Sequence, residues 1–119
     1  MKYCVVLMTA PAGPEAGRLA EMLLRKKLCA CVNIVPGLLS FFWWEGKIDR
    51  ARETLLVAKT EQRLVRELVR EVRKAHSYRV CEVVALPIIA GNPPYLEWIT
   101  SSVGPVRSMR GEAKKGKDV

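Results

Sequence analysis

The sequence predicts an α+β domain of the ferredoxin-like type, a four-stranded antiparallel sheet with two helices on one face and a short C-terminal helix. Three observations carry this. Apolar runs of strand period and helix period follow one another in the order β-α-β-β-α-β, each helical run carries a single apolar stripe, and each strand is apolar on both faces.

Residues 2–9 are apolar and partly β-branched and stop at Ala10-Pro11-Ala12-Gly13-Pro14, a strand followed by a loop. Pro14 suits the first turn of a helix, and over 15–28 the residues Ala16, Leu19, Ala20, Leu23 and Leu24 recur at three- and four-residue spacing. Residues 31–44 form a long extended segment interrupted at Pro36-Gly37, Glu45-Gly46 supplies a hairpin turn, and 47–59 return as the third strand. Thr60 is positioned to cap a second helix, in which Leu64, Val65, Leu68, Val69, Val72 and Ala75 make the buried stripe and the arginines the wet one, ending near His76. Residues 82–89 give the fourth strand, Gly91-Asn92-Pro93-Pro94 breaks it, and 95–102 add the short terminal helix. The domain is expected over 1–103, and 104–119, with five basic residues against two acidic, as a basic disordered tail.

Alternation puts Val5 and Leu7 on one face of the sheet and Val6 and Met8 on the other; Leu55 and Val57 against Leu56 and Ala58, and Val83 and Ala85 against Val84 and Leu86, repeat the pattern. Helices cover only one of these faces. The second apolar face predicts self-association, sheet against sheet.

Composition bounds the rest. A chain of 119 residues is one domain, large enough to bury roughly two-thirds of its extended surface. No apolar run approaches the ~18 residues of a membrane span, and Met1-Lys2 before the apolar stretch is read as the start of a strand, since that stretch is short for a signal peptide and runs into Pro11. The four cysteines are read as reduced and the location as cytoplasmic. Of the net charge of +8 the tail carries +3, and the rest is spread over the body with its densest part along Arg63, Arg66, Arg70, Arg73 and Lys74, read as the solvated face of an amphipathic helix.

Candidate chemistry is sparse. There is no phosphate loop, nucleophile elbow or paired-histidine motif, and the single histidine, His76, falls at a helix end where a local hydrogen bond is the ordinary role. Cys29-Ala30-Cys31 would place two sulfurs on one face of a strand but lacks the second pair that a structural zinc site needs. Phe41-Phe42-Trp43-Trp44 sends aromatics to both faces, which argues for two buried contacts; RNA stacking on the sheet would need a signature in the third strand that Leu55-Leu56-Val57-Ala58 lacks.

The stretches Thr9-Ala10-Pro11, Ala30-Cys31-Val32-Asn33-Ile34-Val35-Pro36-Gly37, Trp44-Glu45-Gly46-Lys47-Ile48, Lys59-Thr60 and Gly91-Asn92-Pro93-Pro94-Tyr95-Leu96-Glu97-Trp98 together resemble the CutA divalent-cation tolerance family over residues 3 to 103. The resemblance implies a homotrimer similar in architecture to the PII signalling proteins, without an enzymatic reaction, tied to tolerance of copper and other divalent metals. It implies an inter-subunit cleft lined by Trp44, Glu53, Lys59, His76 and Glu82, and oligomer packing through Cys31, Phe41, Phe42, Trp43, Tyr95 and Trp98. Where many members read His-Pro-Tyr-Glu-Val-Pro-Glu, this chain has His76-Ser77-Tyr78-Arg79-Val80-Cys81-Glu82, and Met8 and Ala75 replace a cysteine and a histidine of a copper-binding relative. A copper site is then reduced to His76 and Met8, an imidazole and a thioether. Lys59 and Arg79 favour the alternative, a PII-like sensor or scaffold taking a small anionic ligand or a partner protein in the cleft.

Overall fold

The computed structural model describes residues 2–105. The strands are β1 (Tyr3–Pro11), β2 (Cys31–Trp44), β3 (Lys47–Glu61) and β4 (Val83–Pro87), and the helices are α1 (Glu15–Arg25), α2 (Val65–Ala75) and α3 (Pro93–Ser102). The sheet order is β2-β3-β1-β4 with every pairing antiparallel, the ferredoxin-like arrangement that the element order predicts. Of the expected tail only Gly104 and Pro105 are described; the rest lies outside the described residues.

The core lies between the helices and one face of the sheet. Cys4, Val6, Met8 and Ala10 of β1 and Leu56 and Ala58 of β3 meet Ala16, Leu19, Ala20 and Leu23 of α1 and Leu68 and Val72 of α2, all buried. The α2 stripe is narrower than its sequence suggests. Val65 and Val69 are half-buried and Ala75 is exposed, while Glu67 is buried.

Several boundaries move for physical reasons. α1 stops at Arg25, not Leu28, because Lys27 turns left-handed at φ 56°. The Lys27 N–H then donates to the Leu24 carbonyl and the Leu28 N–H to the Leu23 carbonyl, each at 3.0 Å, the paired closure that ends many helices. Thr60 does not cap α2. It is the penultimate residue of β3, and its buried hydroxyl donates to the Leu28 carbonyl at 2.7 Å, tying the strand to the α1–β2 connection. A short 3₁₀ turn, Gln62–Leu64, leads into α2 without a side-chain cap.

The β2–β3 hairpin positions everything else. Trp44 pairs with Lys47 across a two-residue turn in which Glu45 and Gly46 both have positive φ, 49° and 79°, the geometry whose twist matches the flanking strands. At Pro36-Gly37 the register slips by one residue, with Gly37 at φ 88°, so β2 bulges as its interruption in the sequence predicts. Before the bulge Cys31, Asn33 and Val35 lie opposite Lys59, Val57 and Leu55; beyond it the even residues Ser40, Phe42 and Trp44 lie opposite Ala51, Asp49 and Lys47.

β1 pairs with β3 only from Glu53 onward, so residues 38–52 form a two-stranded arm beyond the sheet. Leu39, Phe41, Phe42, Trp43, Trp44 and Ile48 are all exposed along it. The radius of gyration, 15.3 Å, exceeds the ~13 Å of a compact domain of about 100 residues because of this projection.

On the sheet face away from α1 and α2, α3 covers one end. Ile99 is fully buried there, and Thr100 Oγ1 donates to Glu61 Oε2 at 2.5 Å. That spends the Thr100 proton, so the Tyr3 hydroxyl, 2.6 Å away, is the donor to Thr100. α3 is too short to cover the rest: Val35, Val84 and Leu86 stay 44–50% exposed on this face, and Tyr95 and Trp98 of α3 are themselves exposed.

Candidate functional site

α2 ends at Ala75, and extended backbone at His76 turns the imidazole inward under β1. The Nε2 atom lies 2.7 Å from the Thr9 carbonyl oxygen. A carbonyl only accepts, so Nε2 carries the proton. Nδ1 in turn accepts the Tyr78 N–H at 2.9 Å. The ring is therefore the neutral Nε2–H tautomer with both nitrogens engaged, and its side chain is fully buried.

Two carboxylates frame it. Glu15 Oε2 accepts the Ser77 N–H at 2.7 Å and lies 3.4 Å from His76 Nδ1. Burial works to raise the Glu15 pKa, but the Ser77 hydrogen bonds and the Arg18 charge oppose it, and the group is held below the usual carboxylate range. Glu53, buried on β3, accepts the Tyr78 hydroxyl at 2.9 Å. Burial, that bond and the neighbouring carboxylate charges push the Tyr78 phenol up to about 12, so it is a fixed donor at neutral pH. The Tyr78 and His76 rings lie 4.9 Å apart, centroid to centroid.

A second cluster stands on the face away from α1 and α2. Lys59 Nζ and the Cys31 thiol both donate to Asn33 Oδ1, the thiol at 3.8 Å. Burial and the adjacent Cys31 sulfur push the Tyr95 phenol pKa up. Lys59 makes no ion pair with any described residue. Cys29 precedes β2 and does not share this face: it lies in the core, where burial pushes its thiol up to about 12, so the two sulfurs do not line one strand face.

Within one protomer the residues expected in a cleft therefore fall in separate places. His76 and Glu53 are joined through Tyr78; Lys59 sits with Asn33, Cys31 and Tyr95; Glu82 is exposed just before β4; and Trp44 is at the tip of the arm. Lys47, beside Trp44, and Lys59 are twelve residues apart along β3, roughly 40 Å of strand. Met8 and His76 do not offer a copper site in the protomer. Met8 is fully buried in the core, and the His76 nitrogens have no free lone pair. Among the described residues no group of three or more His, Cys, Asp or Glu side chains is arranged to hold a metal ion.

Tyr78, Glu15 and Asn33 were not singled out by sequence reasoning. Asn33 lies within the Ala30–Gly37 stretch and Tyr78 within the His76–Glu82 stretch, so both were in view as words; Glu15 was only the first residue of the helix expected over 15–28. No sequence signal marked Glu61, whose partners Thr100 and Lys2 lie far off along the chain.

The architecture is that of a ferredoxin-like α+β protein with one sheet face largely uncovered, a protruding aromatic arm and polar clusters split along its length. Comparison with known proteins gives the particular family. The CutA1 divalent ion tolerance protein family matches residues 4–102. The chain is 48% identical over 98 residues to the protein CutA 1, chloroplastic, of Oryza sativa, covering 82% of this chain and 55% of the relative. It is 43% identical over 100 residues to the divalent-cation tolerance protein CutA of Thermus thermophilus, covering 84% of this chain and 97% of the relative. The crystal structure of CutA1 from Oryza sativa superposes with a TM-score of 0.84 at 46% identity, over 87% of this chain and 94% of that one. The periplasmic divalent cation tolerance protein CutA of Archaeoglobus fulgidus does so at 0.82 and 44% identity, over 84% and 97%. The chain belongs to the CutA1 divalent ion tolerance protein family. It spans about half the length of the plant relatives it matches.

Proposed function

We propose that the chain works as a homo-oligomer, a trimer by its family resemblance, that handles divalent metal, copper among them, in clefts between subunits and without catalytic turnover. One observation carries this reading. The residues expected to line the cleft are dispersed over one protomer, and the arm that bears Trp44 presents six apolar side chains that no described residue covers. Packing that arm along a neighbouring subunit's uncovered sheet face would bury both apolar surfaces and carry Trp44 toward another subunit's Lys59 or Glu53. In such an assembly the half-buried Cys31 thiol is the soft donor nearest the open face. Cysteines free of disulfides fit the cytoplasmic location read from the sequence, although relatives are named chloroplastic and periplasmic.

The test is copper(I) titration of the mass-verified oligomer under reducing conditions, beside a Trp43→Glu variant that dissociates it. Binding by the oligomer that is lost in the dissociated protomer supports a site between subunits. Binding that survives dissociation refutes that location. No binding by the intact oligomer favours the second reading, a small anion or partner protein in the same cleft, for which the supporting observation is Lys59, held by Asn33 and free of any ion pair among the described residues. Lys59→Ala would then abolish ligand binding while chelators leave it unchanged.

A further inference from the structure

α2 turns its buried stripe to the sheet and an unusually uniform surface outward. Every exposed position from Arg66 to Lys74 is basic, namely Arg66, Arg70, Arg73 and Lys74, and exposed Arg79 follows beyond the helix end. A solvated helix face ordinarily mixes signs. The acids here are spent elsewhere: Glu67 is buried, and Glu71 pairs with Lys26 and Lys74. Arg66, Arg70, Arg73 and Arg79 make no ion pair and no side-chain hydrogen bond among the described residues.

These guanidiniums form one track. The groove along α2 is lined by Arg66, Arg70, Arg73, Lys74 and Arg79, and a second groove, holding Lys2 and Arg63, meets it at Arg66. The one acid in either groove, Glu61, is already engaged by Lys2 and Arg63. The α2 part of the track lies on the opposite side of the sheet from the uncovered apolar face, so the proposed sheet-face assembly would leave it open and repeat it in each subunit.

We infer that this track binds the phosphate backbone of a double-stranded nucleic acid without reading its sequence. An unpaired row of charge needs an extended polyanion, and the eleven residues of α2 span ~16 Å, which passes roughly five phosphates of one strand at about 3.4 Å each. Arginine suits phosphate through its two-pronged donor geometry. A single strand would use stacking aromatics, but the one aromatic in the groove, Tyr78, has its ring against His76 and its hydroxyl on Glu53. A membrane surface would call for large exposed apolar side chains among the charges, and the outward positions of α2 carry none. The sheet-face stacking that the sequence argues against is a different surface.

The experiment is fluorescence anisotropy with the full chain and two unrelated duplexes of about 20 base pairs, titrated with salt upward from ~50 mM. Both duplexes bind alike, and Arg70→Ala/Arg73→Ala/Arg79→Ala lowers the slope of log affinity against log salt by two to three, about one per lost phosphate contact. The three arginines have no ion-pair or hydrogen-bond partners to strand among the described residues, so the melting temperature and solution mass of the variant stay those of the parent. Failure of the parent chain to bind duplex at the lowest salt overturns the inference. So does an unchanged slope in the triple variant with binding lost instead in Lys114→Ser/Lys115→Ser/Lys117→Ser, and so does arginine-dependent binding to phosphatidylserine vesicles without binding to duplex.

Discussion

His76 shows how much one side chain does in this fold. Its ring closes the gap between the end of α2 and β1, donating to Thr9 and accepting from Tyr78. His76→Ala strands a buried carbonyl and a backbone N–H, and should cost about 2–4 kcal/mol in denaturant unfolding, with His76→Gln losing less. Glu61 gives a pH signature. Burial works to raise its pKa, but hydrogen bonds from Thr100 and Arg63 and the charges of Arg63 and Lys2 hold it below the ordinary value of 4.5. A depressed folded-state pKa contributes stability that is complete above the unfolded value and fades as pH falls through the folded one. The stability gap between the parent chain and Glu61→Gln should therefore be constant near neutrality and shrink below pH 4.5, measured by urea unfolding across that range. His76 was visible in the sequence as the single histidine at a helix end, and its local bonding follows from that position. Glu61 was invisible because its partners Thr100 and Lys2 come from opposite ends of the chain, and side-chain networks of that kind have no period to read.

The elements were legible where a pattern sets them. The Glu45-Gly46 turn, the interruption at Pro36-Gly37 and the two amphipathic helices follow from local chemistry, and all are present. The boundaries that moved did so because tertiary contacts outweighed local preference. Thr60 has the chemistry of a cap, yet pairing with Cys4 in β1 keeps it in the strand and its hydroxyl reaches Leu28. The end of α1 was hidden because a lysine, not a glycine, occupies the left-handed position. Lys27→Gly removes that backbone strain and should stabilise the protein by about 1 kcal/mol in thermal unfolding. Gly46→Ala should do the reverse by a similar ~1 kcal/mol, since open space around its α-carbon leaves the positive φ as the whole penalty.

At the scale of the whole molecule, the apolar second face read from strand alternation is present, and α3 covers only its end. The candidate cleft was less legible. Residues such as Trp44 and Lys59 lie far apart on one chain, and no single-chain pattern could say how the proposed assembly would bring them together. Trp43→Glu, at a side chain 73% exposed in the protomer, should shift the assembly toward smaller species in light scattering while leaving the helix and sheet signals of circular dichroism near those of the parent.

The arm also sets an order of events. Residues 38–52 make an isolated two-stranded ribbon with no core of their own, and such ribbons are marginal in water. The layered half of the protomer can form from its own contacts, whereas in the proposed oligomer the ribbon would gain its further support on docking. Synthesis would then pass through a stage in which a finished body carries an unfinished limb. In that proposed assembly maturation would be a second-order process, fast where new chains are crowded and slow where they are dilute.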